Sequence, residues 1–475
     1  MKKILSLTFL AALLGAAGCS SSSPPPPIPD NPTPPPETAQ LQVIHAVADA
    51  PSVTVNVGGP PPAGSELDGL EFRSVASGDF TPGTFAVTVD ANPAGADDPI
   101  LGVIDAGDVE FVVNTRTIIV AAGVVGAIEP VLLTQNVGGP VSTGQSSLRV
   151  VHAAPGAGIV DIYATAPDGE LVDPITLDYQ GESGVLTLSP GDYQIRVTPN
   201  GVPGTILFDS GTTTLVGGED IIAVAITNTT ASPAPITLLV ADSTTGDFGE
   251  VQDTAVPAGD LQIVHASPDA GLVDVLADGA VLVDSADYTA VADFPDLAAG
   301  TYDIEIRPED GDETTNVFQG DVTLDAGVTA KAIAIGLVAA TGEDDDERPV
   351  FDLGIYADDH RRVSTDTKIR AIHAGASIGD IDLYVVATGT DITTVDPTIS
   401  GGFGASTGFL SLAPGNYDLV VTTTETVEEV EVVSEVSRID NVPLDAGGVY
   451  TAVAIDDPDN VGLLTTLSLD DPLLP

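Results

Sequence analysis

The sequence predicts an all-β protein in which four tandem antiparallel β-sandwich domains, immunoglobulin-like or prealbumin-like, follow a disordered tether. Three observations predict this fold class. One histidine-centred stretch occurs four times along the 475 residues. Short apolar runs alternate with turn-forming residues, and no stretch keeps the period of a helix. Hydrophobic residues make up 43% of the chain beside 50 Gly and 37 Pro, a composition that favours strands and turns.

Residues 1–19 are expected to be a signal peptide and not part of the fold. Two lysines precede an apolar run, 4–14, that is too short to span a bilayer as a stable helix. The Gly-Ala-Ala-Gly-Cys that follows resembles the lipobox of bacterial lipoproteins, although Ala16 stands where Leu is more usual. The resemblance implies cleavage before Cys19 and lipidation of that residue, the only cysteine in the chain. An ordinary secretory signal with a stray cysteine is the alternative.

Residues 20–40 are predicted to form a tether between the anchor and the folded part. The segment is rich in Pro and Ser and has almost no apolar content, so it cannot bury surface and stays extended. At about 3.1 Å per residue it reaches several tens of Å. Its first residue, Ser20, stands where Asp usually marks retention at the inner membrane in such lipoproteins. Ser therefore implies the outer membrane.

The repeated stretch reads LRVVHAAPGAGIVDIYA in its second copy, and its histidine recurs at intervals of about 110 residues, far longer than solenoid repeats. Each repeat is the size of an independent domain, which predicts beads on a string. The expected β-sandwich modules 1 to 4 cover residues 41–140, 148–250, 261–358 and 369–475.

Module 2 shows the strand pattern most clearly. Its short apolar runs are separated by Gly, Pro, Asp, Asn or Ser, as in antiparallel sandwiches. Within the first run, Leu148 and Val150 share one face with His152, while Arg149 and Val151 share the other. The predicted strands are 148–153, 159–165, 175–179, 184–188, 192–198, 205–209, 220–227 and 236–241.

A second landmark recurs in the middle of each module, where a turn leads into a strand that opens with an aromatic residue. The turn is Pro-Gly in three modules and Ala-Gly in the third. In immunoglobulin-like sandwiches such an aromatic plugs a core edge, and a Tyr hydroxyl can bond nearby backbone. The four aromatic residues are Phe85, Tyr193, Tyr302 and Tyr417.

These landmarks together resemble the bacterial domain of unknown function 4397, whose members open with a V-x-H-A-S-P-D-A-x-x-V-D-V-Y pattern. The closest copy here is His-Ala-Ser-Pro-Asp-Ala at 265–270, followed by Val-Asp-Val at 273–275. The resemblance covers nearly all of 41–475 and implies four tandem extracytoplasmic domains. The family carries no established activity, so the resemblance implies architecture and leaves function open.

The repeated histidine is the obvious candidate for chemistry. A structural zinc site needs about four converging ligands, and each module offers one recurring histidine and no cysteine. The favoured interpretation is a histidine that bonds turn backbone at the sheet edge, and a ligand or catalytic role is the alternative. The four residues are His45, His152, His265 and His373.

An aspartate recurs nine residues after the histidine in modules 2 to 4, at Asp161, Asp274 and Asp382. The two side chains could pair across a sheet face, which suggests part of a catalytic triad. However, no Ser recurs at a fixed third place, no G-x-S-x-G occurs, and Thr54 replaces the aspartate in module 1. A structural hydrogen bond is the favoured interpretation.

The net charge of the chain limits the kinds of partner that it is expected to bind. The formal net charge is −56, with 14 Lys+Arg against 70 Asp+Glu, which argues against nucleic acid because phosphate binding needs a basic patch. No cofactor is expected, with weak calcium binding as the one possibility. The acidic runs 343–347 and 456–460 could offer oxygen ligands, but neither matches the twelve-residue calcium loop.

The sequence therefore predicts a protein of the cell outer membrane, lipid-anchored through Cys19 and facing the periplasm or the cell exterior. Its expected role is binding, adhesion or spacing without catalysis, with an unknown protein or envelope partner. One alternative is an extracytoplasmic hydrolase that uses one module's His and Asp. The other is a calcium- or salt-dependent assembly protein.

Overall fold

The structure is a computed structural model, and it describes residues 38–58, 67–96, 98–137, 144–243, 245–309, 316–340, 348–359, 361–427, 430–457 and 460–467. The lipidation site Cys19, nearly all of the tether and the acidic run 343–347 lie outside these ranges. Across the described ranges, no helix is long and apolar enough to cross a membrane.

The strands of the first two modules follow the alternating apolar runs. Module 1 contains β1 (Ala39–His45), β2 (Ser52–Val57), β3 (Val75–Phe80), β4 (Gly83–Asn92), β5 (Ile100–Phe111), β6 (Thr115–Ala122) and β7 (Glu129–Asn136). Module 2 contains β8 (Ser146–His152), β9 (Val160–Thr165), β10 (Ile175–Leu177), β11 (Leu186–Leu188), β12 (Gly191–Pro199), β13 (Phe208–Leu215), β14 (Asp220–Thr227), β15 (Ile236–Asp242) and β16 (Phe248–Val251), with a 3-10 turn at Pro155–Ala157.

The last two modules repeat this order. Module 3 contains β17 (Ala258–His265), β18 (Val273–Ala277), β19 (Ala280–Ala286), β20 (Val291–Ala298), β21 (Gly300–Pro308), β22 (Phe318–Leu324), β23 (Thr329–Ile335) and β24 (Asp352–Ala357). Module 4 contains β25 (Thr367–His373), β26 (Ile381–Ala387), β27 (Ile399–Gly401), β28 (Leu410–Leu412), β29 (Gly415–Val427), β30 (Val430–Leu444), β31 (Val449–Asp457) and β32 (Asn460–Leu467), with a 3-10 turn at Ile392–Thr394.

Each module is a sandwich of two sheets, which confirms the predicted all-β fold class. The sheet that contains the histidine strand, here called the inner sheet, has the orders β3-β1-β6-β7, β11-β8-β14-β15-β16, β20-β17-β23-β24 and β28-β25-β31-β32. The second sheet, here called the outer sheet, has the orders β2-β4-β5, β10-β9-β12-β13, β19-β18-β21-β22 and β27-β26-β29-β30.

The inner sheets differ from the antiparallel expectation at their centre. The histidine strand pairs in parallel with a later strand in every module, as β8 does with β14, while the other strand pairs are antiparallel. Parallel strands are stable where both faces of the sheet are covered, and they then carry near-continuous apolar runs. The sequence Ile-Ile-Ala-Val-Ala-Ile at 221–226 is such a run, and all six residues are buried.

Both faces are covered because the modules pack in pairs. One face of each inner sheet meets its own outer sheet, as where Leu148 and Val150 pack on Val197 and Phe208. The opposite face meets the inner sheet of the neighbouring module. Modules 1 and 2 share one such core, and modules 3 and 4 share another. The expectation of separate beads is therefore wrong, because both faces of each inner sheet are packed against another sheet.

The two interfaces are built from equivalent strands but differ in composition. Ile118, Val120, Ile222 and Val224 lie in the first core, together with apolar residues of β1, β7, β8 and β15. In the second core, Val264, Ile333, Ile372 and Val453 are apolar. The residues in the register of Ile118 and Ile222 are instead Lys331 and Thr451. The two pairs of modules also touch each other through the segment before β25. There Ser364 bonds Asp49 through both backbone and side chain, and Arg361 donates to the carbonyl oxygens of Ala48 and Ala50.

In module 2 one predicted strand was wrong, and one observed strand was not predicted. Turns occupy 202–207, where Thr205 donates to the carbonyl of Val202, so the predicted strand 205–209 begins only at Phe208 and continues to Leu215. The edge strand β16 was not predicted, because its four residues are partly or fully exposed and show no apolar run.

Candidate functional site

The repeated histidine is the last residue of the first inner-sheet strand in every module. Its side chain is almost fully buried, with exposed fractions of 1%, 0%, 2% and 0% for His45, His152, His265 and His373. The next residues leave the inner sheet and cross to the first strand of the outer sheet. The histidine therefore lies where the chain passes from one layer of the sandwich to the other.

Each imidazole holds this crossover through a hydrogen bond to the carbonyl oxygen six residues later, which precedes the first outer-sheet strand. A carbonyl can only accept, so Nε2 carries the proton. The Nε2–oxygen pairs are His45 to Pro51 at 3.1 Å, His152 to Gly158 at 2.7 Å, His265 to Gly271 at 2.9 Å and His373 to Gly379 at 3.1 Å.

The other ring nitrogen is also engaged in three modules. The backbone N–H two residues later donates to Nδ1 of His45, His265 and His373 at 3.3 to 3.4 Å. In these three modules, both nitrogens of the neutral imidazole therefore take part in a hydrogen bond. Burial accordingly lowers the pKa of all four histidines, that of His45 to about 4.

An aromatic residue from elsewhere in the module also contacts each imidazole. An aromatic ring packs edge-on against each imidazole, with centroid distances of 6.1 to 6.5 Å, and the partners are Phe72, Tyr179, Tyr288 and Phe403. The residue after each aromatic has positive φ and donates its N–H to the carbonyl of the histidine. Together, the histidine, the carbonyl six residues later and this aromatic are called the histidine clasp below.

Sequence reasoning missed the aromatic partner of the clasp. Its distance from the histidine varies between modules, since the intervening loop differs in length, and the residue with positive φ is Arg73, Gln180, Thr289 or Gly404. Only the last of these is a glycine, so the usual sequence signal for positive φ is absent in three modules. An aromatic followed by a loop in each repeat was the one signal available.

The expected pairing of histidine with aspartate is wrong. Asp161 accepts hydrogen bonds from Thr176 Oγ1 at 2.6 Å, Asn200 Nδ2 at 3.0 Å and the backbone N–H of Gly201 at 2.7 Å. These bonds, with that of Gly201 foremost, hold the pKa of Asp161 below its usual value. The carboxylate ties strands of the outer sheet together, whereas the imidazole bonds the crossover.

The equivalent residues of the other modules behave in the same way. Asp274 accepts from the N–H of Ser285 at 2.8 Å, and Asp382 accepts from Ser400 Oγ at 2.5 Å. In module 1, Thr54 donates to Asp68 and accepts from Asn92. The hydrolase alternative depended on a His–Asp pair that is not formed in any of the three modules with the aspartate.

The mid-module aromatics lie at the edge of the core between the two sheets. Tyr193 donates its hydroxyl to the carbonyl of Ser189 at 2.9 Å, and Tyr417 donates to that of Ala413 at 2.6 Å. Tyr302 makes the same bond to Ala298. Phe85, which has no hydroxyl, instead packs edge-on against Phe111 with a centroid distance of 5.7 Å. In modules 2 to 4 the tyrosine thus fixes the turn from which its own strand starts.

Acidic side chains near the clasp bind backbone amides. Asp456, in one of the acidic runs considered for calcium, accepts from the N–H groups of Ala376 and Ser377 at 2.8 and 2.9 Å. In module 3, Asp269 accepts from the amides of 338 and 339 in the same manner. Within the described part of the chain, no three His, Cys, Asp or Glu side chains converge as metal ligands would.

The arrangement defines a class of protein: an all-β repeat protein whose modules are each closed by a histidine clasp and joined through their inner sheets. The family model for the domain of unknown function DUF4397 matches residues 39–163 and 259–384. Each match covers one module and continues into the second strand of the next, so all four clasp histidines lie within the matches. The chain belongs to the DUF4397 family.

The chain is only distantly similar to solved structures. The Bacillus anthracis TIE protein is 13% identical, over 85% of this chain and 68% of its own, with a TM-score of 0.14. A streptococcal ancillary pilin is 11% identical, over 61% of this chain and 95% of its own, also with a TM-score of 0.14. No curated protein matches the chain.

Proposed function

We propose that this protein is a lipid-anchored envelope protein whose four modules form a non-catalytic stack, held off the outer membrane for binding, adhesion or spacing. The proposal rests on the structural role of the repeated histidine. The side chain that recurs in every module bonds the backbone of its own crossover. A group committed in this way holds the fold and is not poised for proton transfer.

The packing of the modules supports a mechanical role. Shared apolar cores join module 1 to module 2 and module 3 to module 4. Since each inner sheet is buried on both faces, separating a pair would expose a large apolar surface. A stack joined in this way keeps its dimensions better than four domains on flexible linkers would.

Attachment is tested by expressing the full chain in a bacterium with two membranes. We expect the wild-type chain to take up labelled palmitate and to fractionate with the outer membrane, and Cys19→Ala to lose both properties. Ser20→Asp should move the lipidated protein to the inner membrane, and Ser20→Ala is its matched control. A Cys19→Ala protein that stays with the outer membrane would overturn the anchor.

The role itself is tested in the organism that makes the protein. Deletion is expected to weaken attachment or envelope integrity, and the Cys19→Ala gene should not restore the property. Cross-linking on intact cells should capture an envelope partner through the modules. Unchanged attachment and envelope integrity after deletion, together with no captured partner, would contradict the proposal.

A further inference from the structure

Module 3 encloses an apolar cavity between its inner and outer sheets. The cavity has a volume of about 260 Å³, and its walls are mainly aliphatic, including Leu261, Ile263, Val275, Leu282, Ile304 and Leu324. An apolar cavity of about 150 Å³ already takes up a molecule the size of benzene. The space in module 3 is therefore large enough for a longer apolar group.

The small residue that distinguishes module 3 from the other modules is Ala330 on β23. Ala330, Ala332 and Ala334 point from this inner strand into the space. Ala330 pairs with Leu261 in the sheet, and the residues in the same register in modules 1, 2 and 4 are Thr117, Ile221 and Tyr450. Each is larger than Ala, so module 3 has the smallest side chain of the four modules at this register position.

An irregular edge strand and the turn after it carry the acidic residues of the cavity lining. The pairing of β19 with β18 shifts register twice, and Ser285 has a φ of 53°. The corresponding edge strands β10 and β27 pair without a shift. A bulge bends an edge strand and interrupts its ladder. Asp284 at this bulge and Asp287 just after it are both exposed, and both line the cavity.

The chemistry of the lining selects the occupant. The cavity is lined by no Lys or Arg, and its one imidazole, that of His265, is committed to Gly271 and Ser267. Two exposed carboxylates in the lining, on a chain of net charge −56, repel an anionic head group. We propose that module 3 binds one single-chain amphiphile, with its alkyl chain between the sheets and a neutral or cationic head group beside Asp284 and Asp287.

The test titrates the purified full chain with dodecyltrimethylammonium, decanol and dodecanoate, below their aggregation limits, by calorimetry at about 0.15 M salt, where distant charges are screened. We expect one saturable site per chain for the cation and the alcohol. Dodecanoate should bind at least about tenfold more weakly than the cation, because its carboxylate would lie beside two others.

Ala330→Ile introduces the residue that module 2 carries in the same register, and should weaken both ligands by about tenfold or more, since it removes space for the alkyl chain. Val281→Thr, at an exposed position of β19 outside the cavity lining, is the control and should bind as wild type. Asp284→Asn with Asp287→Asn should remove the discrimination against dodecanoate. Asp173→Asn with Asp178→Asn in module 2 removes the same charge and should leave that discrimination unchanged.

Three results would overturn the proposal: equal affinity in Ala330→Ile and wild type, several equivalent sites per chain, or dodecanoate binding as tightly as the cation in the wild type. Circular dichroism of each variant shows whether it is folded. If Ala330→Ile does not fold, the binding test is repeated with Ala332→Val, a smaller change that narrows the same space.

Discussion

His152 donates a hydrogen bond from Nε2 to the carbonyl oxygen of Gly158 at 2.7 Å. The bond joins the last residue of the inner strand β8 to the turn that precedes the outer strand β9. It therefore fixes the separation of the two sheets at their common end. His152 differs from its three counterparts because its Nδ1 is buried without a hydrogen-bond partner. In module 2 the Nε2 bond is thus the one hydrogen bond of the ring.

His152→Ala should lower the free energy of unfolding of module 2 by about 2 to 4 kcal/mol. The change leaves a buried carbonyl without its donor, which costs about 1 to 3 kcal/mol, and opens a cavity. Urea unfolding followed by circular dichroism measures the loss. Val216→Ala, at a side chain that is 57% exposed, is the control and should stay within about 0.5 kcal/mol of wild type. A loss of that small size in His152→Ala would show that the clasp does not stabilise the sandwich.

Stability should fall as the pH drops from about 6.5 towards 4, because of the histidines. The pKa of His45 is lowered to about 4 in the folded state, so between these values the unfolded chain binds more protons than the folded one. Protonation therefore favours unfolding, and His45 contributes about 3 kcal/mol over this window. Below pH 4 its contribution levels off, and the loss of carboxylate bonds such as those of Asp161 takes over.

The measurement is the free energy of urea unfolding at a series of pH values. In His45→Gln, which cannot titrate, the slope between pH 6.5 and 4 should be shallower than in wild type. Asn114→Gln, at a residue on an exposed turn of the same module, serves as the control for an unrelated substitution. A His45→Gln protein with the wild-type slope would contradict a neutral buried imidazole.

Much of the fold could be predicted from local patterns. The histidine strands, the turns that end in Gly and the aromatic two residues after that Gly recur in every module, and strand and turn chemistry is local. Leu148 and Val150 were correctly placed on one face and Val151 on the other, because alternation along a strand fixes the face. The pairing of modules could not be derived in this way. That Val151 meets another module, and not solvent, depends on the whole inner sheet.

The site was harder to predict than the fold. The partner of His152 is a backbone carbonyl, which every residue carries and no sequence pattern marks. Asp161 carried a visible pattern, a fixed distance of nine residues from the histidine, but the strand order places its carboxylate among outer-sheet groups. A constant spacing therefore showed that both residues matter to the module, and did not show that they touch.

Ile222→Ala should destabilise module 1 as well as module 2. Ile222 is 1% exposed and lies in the core shared by the two inner sheets. Removing its side chain should cost about 2 to 5 kcal/mol. Hydrogen exchange followed by mass spectrometry should show faster exchange in β6 of module 1, whose Ile118 and Val120 belong to that core. Leu215→Ala, in the outer sheet, is the matched control and should leave β6 unchanged. Faster exchange confined to module 2 would show that the modules unfold independently.

Tyr193→Phe should cost less than about 1 kcal/mol, whereas Tyr193→Ala should cost about 3 kcal/mol. The ring packs against the core of module 2, and the hydroxyl bonds the carbonyl of Ser189 where water can replace it. Module 1 carries Phe85 at the same point, which indicates that the ring stabilises the module more than the hydroxyl does. Urea unfolding of both variants measures the difference. Equal losses in the two would assign the stabilisation to the hydroxyl, and the turn at 189–191 would then depend on a hydrogen bond that module 1 lacks.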